Sequence, residues 1–181
     1  MKYDINWLKS LYEQDHPLKY LFFWGHQSRP DGRISESCFS QWWAGHPFEV
    51  GGITYVTAEH WMMAGKARLF GDETALTAIL RCENPAQAKD VGRTILNFDP
   101  VVWDNEKYDL VKTGNYHKFA QNPDLGAFLK NTGGRILVEA SPVDRIWGIG
   151  LAKNDPDIEN PLKWKGENLL GFALMEGRET V

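Results

Sequence analysis

The chain reads as a single α+β domain, predominantly helical with a few short strands. Three observations predict this. The dipeptides Asn84-Pro85, Asp99-Pro100 and Asn122-Pro123 each put a capping side chain directly before a proline at a first helical position. Strand signals are short and scattered, at 20–24, 48–50, 53–56 and 135–139. No internal repeat, low-complexity tract or long linker divides the 181 residues, so they form one unit in which 1–19 is an accessory N-terminal helix.

Taken in order, Ile5, Leu8, Leu11 and Tyr12 recur at helical spacing ahead of Pro17 and predict a short amphipathic leader. Its Asp4, Glu13 and Asp15, with no continuous apolar run, argue against a signal peptide or a membrane span. Tyr20-Leu-Phe-Phe-Trp24 is an aromatic strand closed by Gly25, and the polar stretch 27–36, with Pro30 and Gly32, is a loop. Gly51-Gly52 between two short runs predicts a hairpin. Thr57 then caps a helix that carries Glu59 and Lys66. Past Gly71-Asp72 the pattern is helical until Asn131-Thr-Gly-Gly134, after which 135–139 is a strand. The polar stretch 153–166, with Pro156 and Pro161, is a loop, and 168–178 is apolar enough for a packed terminal helix.

Composition is ordinary for a globular protein, at 43% hydrophobic and 24% charged. A formal net charge of −4 supplies no overall attraction to phosphate backbones, so nucleic acid would need a local patch. Cys38 and Cys82 lack CxxC spacing or a flanking His cluster, which argues against zinc and against a disulfide framework and makes a reducing cytoplasm the simplest home. The five histidines show no metal-ligand spacing, and no Ser/His/Asp nucleophile elbow is present. No metal or cofactor is expected. The eight tryptophans are the one oddity, and their number alone favours core over a stacking platform.

Chemistry concentrates in two segments. In Thr57-Ala-Glu-His-Trp-Met-Met-Ala-Gly-Lys66, Glu59 and Lys66 are almost two turns apart on one face with Met63 between them, about 10 Å at 1.5 Å per residue. If that face packs inward, both groups are desolvated and need a partner or a ligand. If the opposite face, with Trp61 and Arg68, is the core, both are solvated; the helix alone leaves the two readings open. The second segment is Ser141-Pro-Val-Asp144-Arg-Ile-Trp147-Gly-Ile-Gly150, in which an acid, an aromatic and two glycines follow a strand. Local pattern favours an Asp turn beside a core Trp over a site. It likewise favours core for Trp103 and a solvated face, not a phosphate clamp, for Lys89 and Arg93.

An ordered series changes that weighting. Phe22-Phe-Trp-Gly25, Phe48-x-Val-x-Gly-x-x-Tyr55, Thr57-Ala-Glu-His60 with Lys66, Gly92-Arg93, Trp103, Lys118-Phe119, Leu137-Val-Glu139, Asp144 with Trp147-Gly148, and Gly166-x-Asn168-x-Leu-Gly171-x-x-Leu-Met175-x-x-Arg178 span residues 20 to 178. Together they resemble the NADAR (YbiA-like) N-glycosidase family. The resemblance implies hydrolysis of a ribose–base C–N bond, in ADP-ribosylated guanine of nucleic acid or in phosphorylated ribosylamino-pyrimidine intermediates of riboflavin synthesis. It marks Glu59, Lys66 and Asp144 as catalytic and Phe23, Gly25, Arg93, Trp103, Trp147, Gly148 and Asn168 as substrate-binding. Glu59 would stabilise the cationic sugar and activate water, and Asp144 would protonate the base if its surroundings raise its pKa. Lys66 would hold a phosphate or form a Schiff base with the opened sugar. Trp103 and Trp147 would sandwich the base, and Arg93 would contact a phosphate. The partner implied is an ADP-ribose-containing or other ribosylated-base substrate, with nucleic acid entering only as modified substrate, no membrane, and oligomeric state left open. The competing reading is a non-catalytic ADP-ribose or nucleotide-binding module, which would tolerate loss of Glu59.

Overall fold

A computed structural model describes residues 1–181. In chain order its elements are α1 (Ile5–Glu13), β1 (Tyr20–Phe23), β2 (Phe48–Val50), β3 (Ile53–Tyr55), α2 (Ala58–Leu69), α3 (Glu73–Leu80), α4 (Pro85–Arg93), α5 (Pro100–Gln121), α6 (Pro123–Lys130), β4 (Ile136–Glu139) and α7 (Leu169–Arg178), with short 3-10 turns at Glu36–Phe39 and Pro161–Lys163. No helix is long and apolar enough to cross a membrane.

Local chemistry explains most of these boundaries. Gly51 and Gly52 both take positive φ, 60° and 77°, as a two-residue turn between antiparallel β2 and β3 requires. Asp4, Thr57, Asp72, Asn84 and Asp99 each accept a backbone N–H in the first turn of the helix they precede. Asn122 departs from the expected device. Its side chain does not cap α6; its Nδ2 donates to Pro47 O (3.2 Å) and Lys118 O (2.8 Å), tying the end of α5 to the segment that enters β2.

β1 and β4 pair in parallel, Tyr20 with Ile136 through Phe23 with Glu139, although more than a hundred residues separate them. Ile136, Leu137 and Val138 are all buried, as befits a strand covered on both faces. α7 packs on β4 and against α5. α2 also packs against α5, where the Trp61 indole donates to Leu110 O at 2.8 Å. The leader is docked, not loose: Leu8 is fully buried and Trp7 meets Phe172 of α7 edge-on at 6.4 Å.

The tightest junction is where α7 meets β4. Asn168 is completely buried in the left-handed conformation (φ 57°), and its amide spans the strand, accepting from Glu139 N–H at 3.0 Å and donating to Leu137 O at 2.9 Å. Gly171, one turn on, lies so close that a Cβ there would overlap Leu137 O and the Asn168 amide.

Gly171→Ala is therefore expected to destabilise the fold by about 1–3 kcal/mol, since backbone must move to admit the methyl. Gly177→Ala, on the same helix with open space around it, should be neutral or stabilise by about 0.4–1 kcal/mol. Urea unfolding of both variants checks the contrast, and equal effects would refute the close-approach argument.

Candidate active site

One cavity of about 280 Å³ collects residues from seven parts of the fold. α2 supplies Glu59, Met62, Met63 and Lys66; the stretch after the first 3-10 turn supplies Ser40, Gln41 and Trp42; α4 supplies Lys89, Gly92 and Arg93. Trp103 comes from the first turn of α5 and Leu170 from α7. Glu139 ends β4, and Asp144, Ile146 and Trp147 belong to the loop that follows. The exposed residues Arg93 and Ile146 mark its mouth.

The open question about α2 resolves with Glu59 buried, Lys66 and Trp61 half-buried, and Arg68 exposed. Trp61 packs among Tyr55, Phe48 and the edge of α5, while Glu59, only 2% exposed, points into the cavity. Glu59 N–H donates to Gln41 O at 2.9 Å, and its Oε1 is sealed from solvent without a hydrogen-bond partner. Burial pushes its pKa up to about 7; Lys89 and the Trp42 indole oppose the rise, and Asp144 adds to it. The neighbouring His60 takes no part in the cavity. Its Nε2 meets Cys82 O at 3.1 Å and its Nδ1 meets Thr57 Oγ1 at 2.8 Å, an arrangement that suits a neutral ring whose pKa burial lowers.

Glu139 is the second carboxyl of the cavity and is half-buried. Its backbone is fixed on both sides, N–H to Asn168 and C=O from Ile149 N–H at 3.0 Å. Its Oε2 is sealed and unpartnered, like Oε1 of Glu59. Burial, then Asp144, raise its pKa to about 8; Lys89 opposes and Glu59 contributes.

Asp144 builds a turn. Its Oδ1 accepts N–H groups of Ile146 (2.9 Å) and Trp147 (2.8 Å), and its own N–H donates to Ser141 Oγ at 3.2 Å. The turn directs Trp147 to the cavity. It can fold back on β4 only because residue 148 is glycine, where a Cβ would lie 2.8 Å from Glu139 O.

The cations occupy the other flank. Lys66 Nζ donates to Gly92 O at 2.8 Å and sits 4.3 Å from the Phe98 ring and 5.7 Å from that of Trp103; burial lowers its pKa. Lys89 faces the Trp42 ring at 5.6 Å. Arg93 pairs with Asp90 at 2.8 Å, a solvent-exposed pair that a ligand can replace at little loss.

Of the residues singled out in the sequence, Glu59, Lys66, Arg93, Trp103, Asp144 and Trp147 converge on this cavity. Phe23, Gly25, Gly148 and Asn168 do not line it. Phe23 is fully buried against Phe39 in the core. Gly25 (φ 83°) turns the chain out of β1, while Gly148 and Asn168 fix the backbone around Glu139. The solvated face expected for Lys89 and Arg93 is corrected for Lys89, which is half-buried over Trp42. Glu139 and Trp42 were not singled out. The signal for Glu139 was present, a carboxylate closing an Ile-Leu-Val strand directly before the Asp144 loop.

Residues 22–181 match the NADAR domain family model. The chain is similar to N-glycosidase R617 of Acanthamoeba polyphaga mimivirus, 43% identical over 169 residues that cover 89% of this chain and 95% of that protein. It is similar also to N-glycosidase YbiA of Escherichia coli (strain K12), 33% identical over 80% of this chain and 79% of that one. The NMR structure of the E. coli protein YbiA superposes with a TM-score of 0.71 at 29% identity, covering 90% of this chain and 84% of that one.

Glu59 and Glu139 hold their protons more tightly when folded than in the unfolded chain, where a glutamate titrates near 4.5. The stability this contributes is complete below pH 4.5 and is lost as pH rises towards 7 for Glu59 and 8 for Glu139, by at most about 1.4 kcal/mol per pH unit for each group. His60 acts in the opposite sense below pH 6.5, so variants are more informative than the bare slope. Glu59→Gln and Glu139→Gln should each flatten the fall in Tm between about pH 5 and 8 and melt above the parent at the upper end, as followed by circular dichroism. Unchanged slopes would refute the raised pKa values.

Proposed function

We propose that this chain, which belongs to the NADAR domain family and is an N-glycosidase, a hydrolase of N-glycosyl bonds, cleaves the bond between C1′ of a phosphate-bearing ribose and the nitrogen of a base. The observation that carries the reading is Glu59, a buried carboxyl with an unpartnered oxygen in a cavity walled by Trp103 and Trp147. At about 280 Å³ the cavity is near the low end of small-molecule sites, which run from roughly 300 to 1,000 Å³. It suits one ribosylated base, with phosphates towards the mouth beside Lys89 and Arg93.

Charge development sets the mechanism. Breaking the C–N bond leaves positive charge on the sugar, which a carboxylate in a water-poor site stabilises strongly. Glu59 is that carboxylate, and it also takes the proton of the water that adds to C1′. The departing base needs a proton, supplied by one of the site's carboxyls. Tryptophan faces hold the planar base, so that leaving group and nucleophile are aligned before reaction. Lys66, with its pKa lowered by burial, is the amine of the site. A module that only recognises nucleotides has no use for two carboxyls that each hold one oxygen sealed and unpartnered, which weakens the fold at neutral pH.

Two substrates share this chemistry, phosphorylated ribosylamino-pyrimidine and ADP-ribosylated guanine in DNA or RNA, and incubation with each, following base release by mass, tells them apart. Glu59→Gln should lower release by roughly 10²–10⁴-fold with the fold intact; a near-parental rate would reject its role. Direct addition of water to C1′ leaves nothing for borohydride to trap during turnover, whereas a trapped covalent adduct that Lys66→Ala abolishes would replace that route by a Schiff base on Lys66. If turnover proceeds without an adduct in the parent, Lys66 is a phosphate clamp and not a nucleophile.

A further inference from the structure

The second carboxyl of the cavity, Glu139, is half-buried, and the fold fixes its backbone through Asn168 and Ile149. Asn168, Ile149 and β1 hold the backbone of Glu139 and its neighbours: Asn168 Oδ1 takes its N–H, Ile149 N–H donates to its C=O, and Ala140 N–H donates to Phe23 O at 2.8 Å. A left-handed, fully buried asparagine and a glycine at 148 are both committed to this strand end. What they hold in place is a side chain that lines the cavity with one oxygen sealed and bonded to nothing. A purely structural position of this kind would be filled by an apolar residue, since an unsatisfied buried carboxyl destabilises.

We propose that Glu139 is the catalytic acid, delivering the proton to the leaving base, and that it shares a single proton with Glu59 through the catalytic cycle. The inference rests on the N-glycosidase reading above. Asp144 is the less suitable donor because its Oδ1 already holds the Trp147 turn. Its negative charge instead helps to keep the proton on Glu139. The charged groups facing Glu139 are Asp144 from the following loop, Glu59 from α2 and Lys89 from α4. Lys66 and Arg93 border the same cavity, and β1 and α7 present only Phe23 and Leu170. Two like-charged carboxyls in one desolvated space cannot both ionise readily, which leaves one ionised and one protonated.

The step balances. The C1′–N bond breaks and its electron pair goes to the base nitrogen, which takes the proton of Glu139. Water adds its oxygen to C1′ and gives a proton to the Glu59 carboxylate. Transfer of that proton from Glu59 to Glu139 restores the starting state, with one water consumed and free ribosyl product and neutral base released.

Kinetics with two leaving groups test this. With ribosylamino-pyrimidine phosphate or ADP-ribosylated DNA, whichever is cleaved, parental kcat/KM should fall on the alkaline side with a midpoint near pH 8. Glu139→Gln should lose about 10²–10⁴-fold and with it that alkaline fall. With nicotinamide mononucleotide, whose pyridinium base is permanently cationic and leaves without a proton, the parent should show no fall near pH 8. There Glu139→Gln should lose less than about tenfold while Glu59→Gln still loses the larger factor. Survival of the alkaline fall in Glu139→Gln, or equal losses on both substrates by a folded variant, overturns the proposal. Should that variant not fold, the parent decides: the same alkaline fall with the pyridinium nucleotide overturns it. Failure of the parent to cleave any ribosylated base overturns instead the substrate reading on which it rests.

Discussion

The amide of Asn168 bridging Leu137 O and Glu139 N–H is the interaction on which the site depends. A parallel pair of four-residue strands is a weak platform by itself, because two strands leave outer edges unpaired. Asn168 satisfies the free side of β4 with a side chain in place of a third strand. It adopts a left-handed backbone to do so, a strain of order 1–3 kcal/mol for a residue that is not glycine. The same residue starts α7, so the helix, the strand end and the loop with Asp144 and Trp147 share one anchor.

Around that anchor the electrostatics are set by burial rather than by helix dipoles. Glu59 lies in the first turn of α2 and Lys66 in the last, where the dipole favours each in its charged form by about 0.3–1 kcal/mol. Removing an ion from water costs several kcal/mol. The larger effect wins at both ends of the helix, so the acid titrates high and the amine low. Glu59, at about 7, thus lies in the pKa range in which proton transfer works near neutrality.

Much of this was legible in the sequence because it was written in local chemistry. Pro at the first helical position, Gly-Gly in the hairpin and Thr57 before α2 each act within a few residues. The Glu59–Lys66 stripe was visible as an anomaly, though α2 alone could not say which face was buried, since that depends on α4 and α5 packing from opposite sides. Long-range consequences were less legible. Phe23 and Glu139 are paired in register across β1 and β4, Phe23 closed off against Phe39 and Glu139 bordering the cavity. Nothing in either short run fixes which of the two reaches the cavity. Asn168 and Gly148 carry functional motifs but act on backbone, a role visible only once β4 lies beside them. The Asn122 amide was likewise assigned to the helix it precedes, whereas tertiary carbonyls claim it.

Lys118 shows how far the fold goes to hold the wall opposite Glu139. Its ammonium group is entirely buried with no carboxylate beside it, and burial pushes its pKa down to about 8. It donates to Cys38 O at 2.6 Å and Ser40 O at 2.8 Å, carbonyls at the end of a single 3-10 turn that no helix continues to satisfy. An apolar replacement would avoid the buried charge but orphan Cys38 O, at about 1–3 kcal/mol, whereas Ser40 O would keep the Trp43 N–H at 3.2 Å. The lysine is the residue that can reach from α5 and serve two acceptors at once. Ser40, Gln41 and Trp42 follow directly from that clamp, and Gln41 O receives Glu59 N–H. The position of the catalytic helix start is therefore tied through three residues to a buried cation. The two sides of the cavity rest on the same solution, a polar side chain withdrawn from water to hold main-chain atoms that the short secondary structure leaves unpaired.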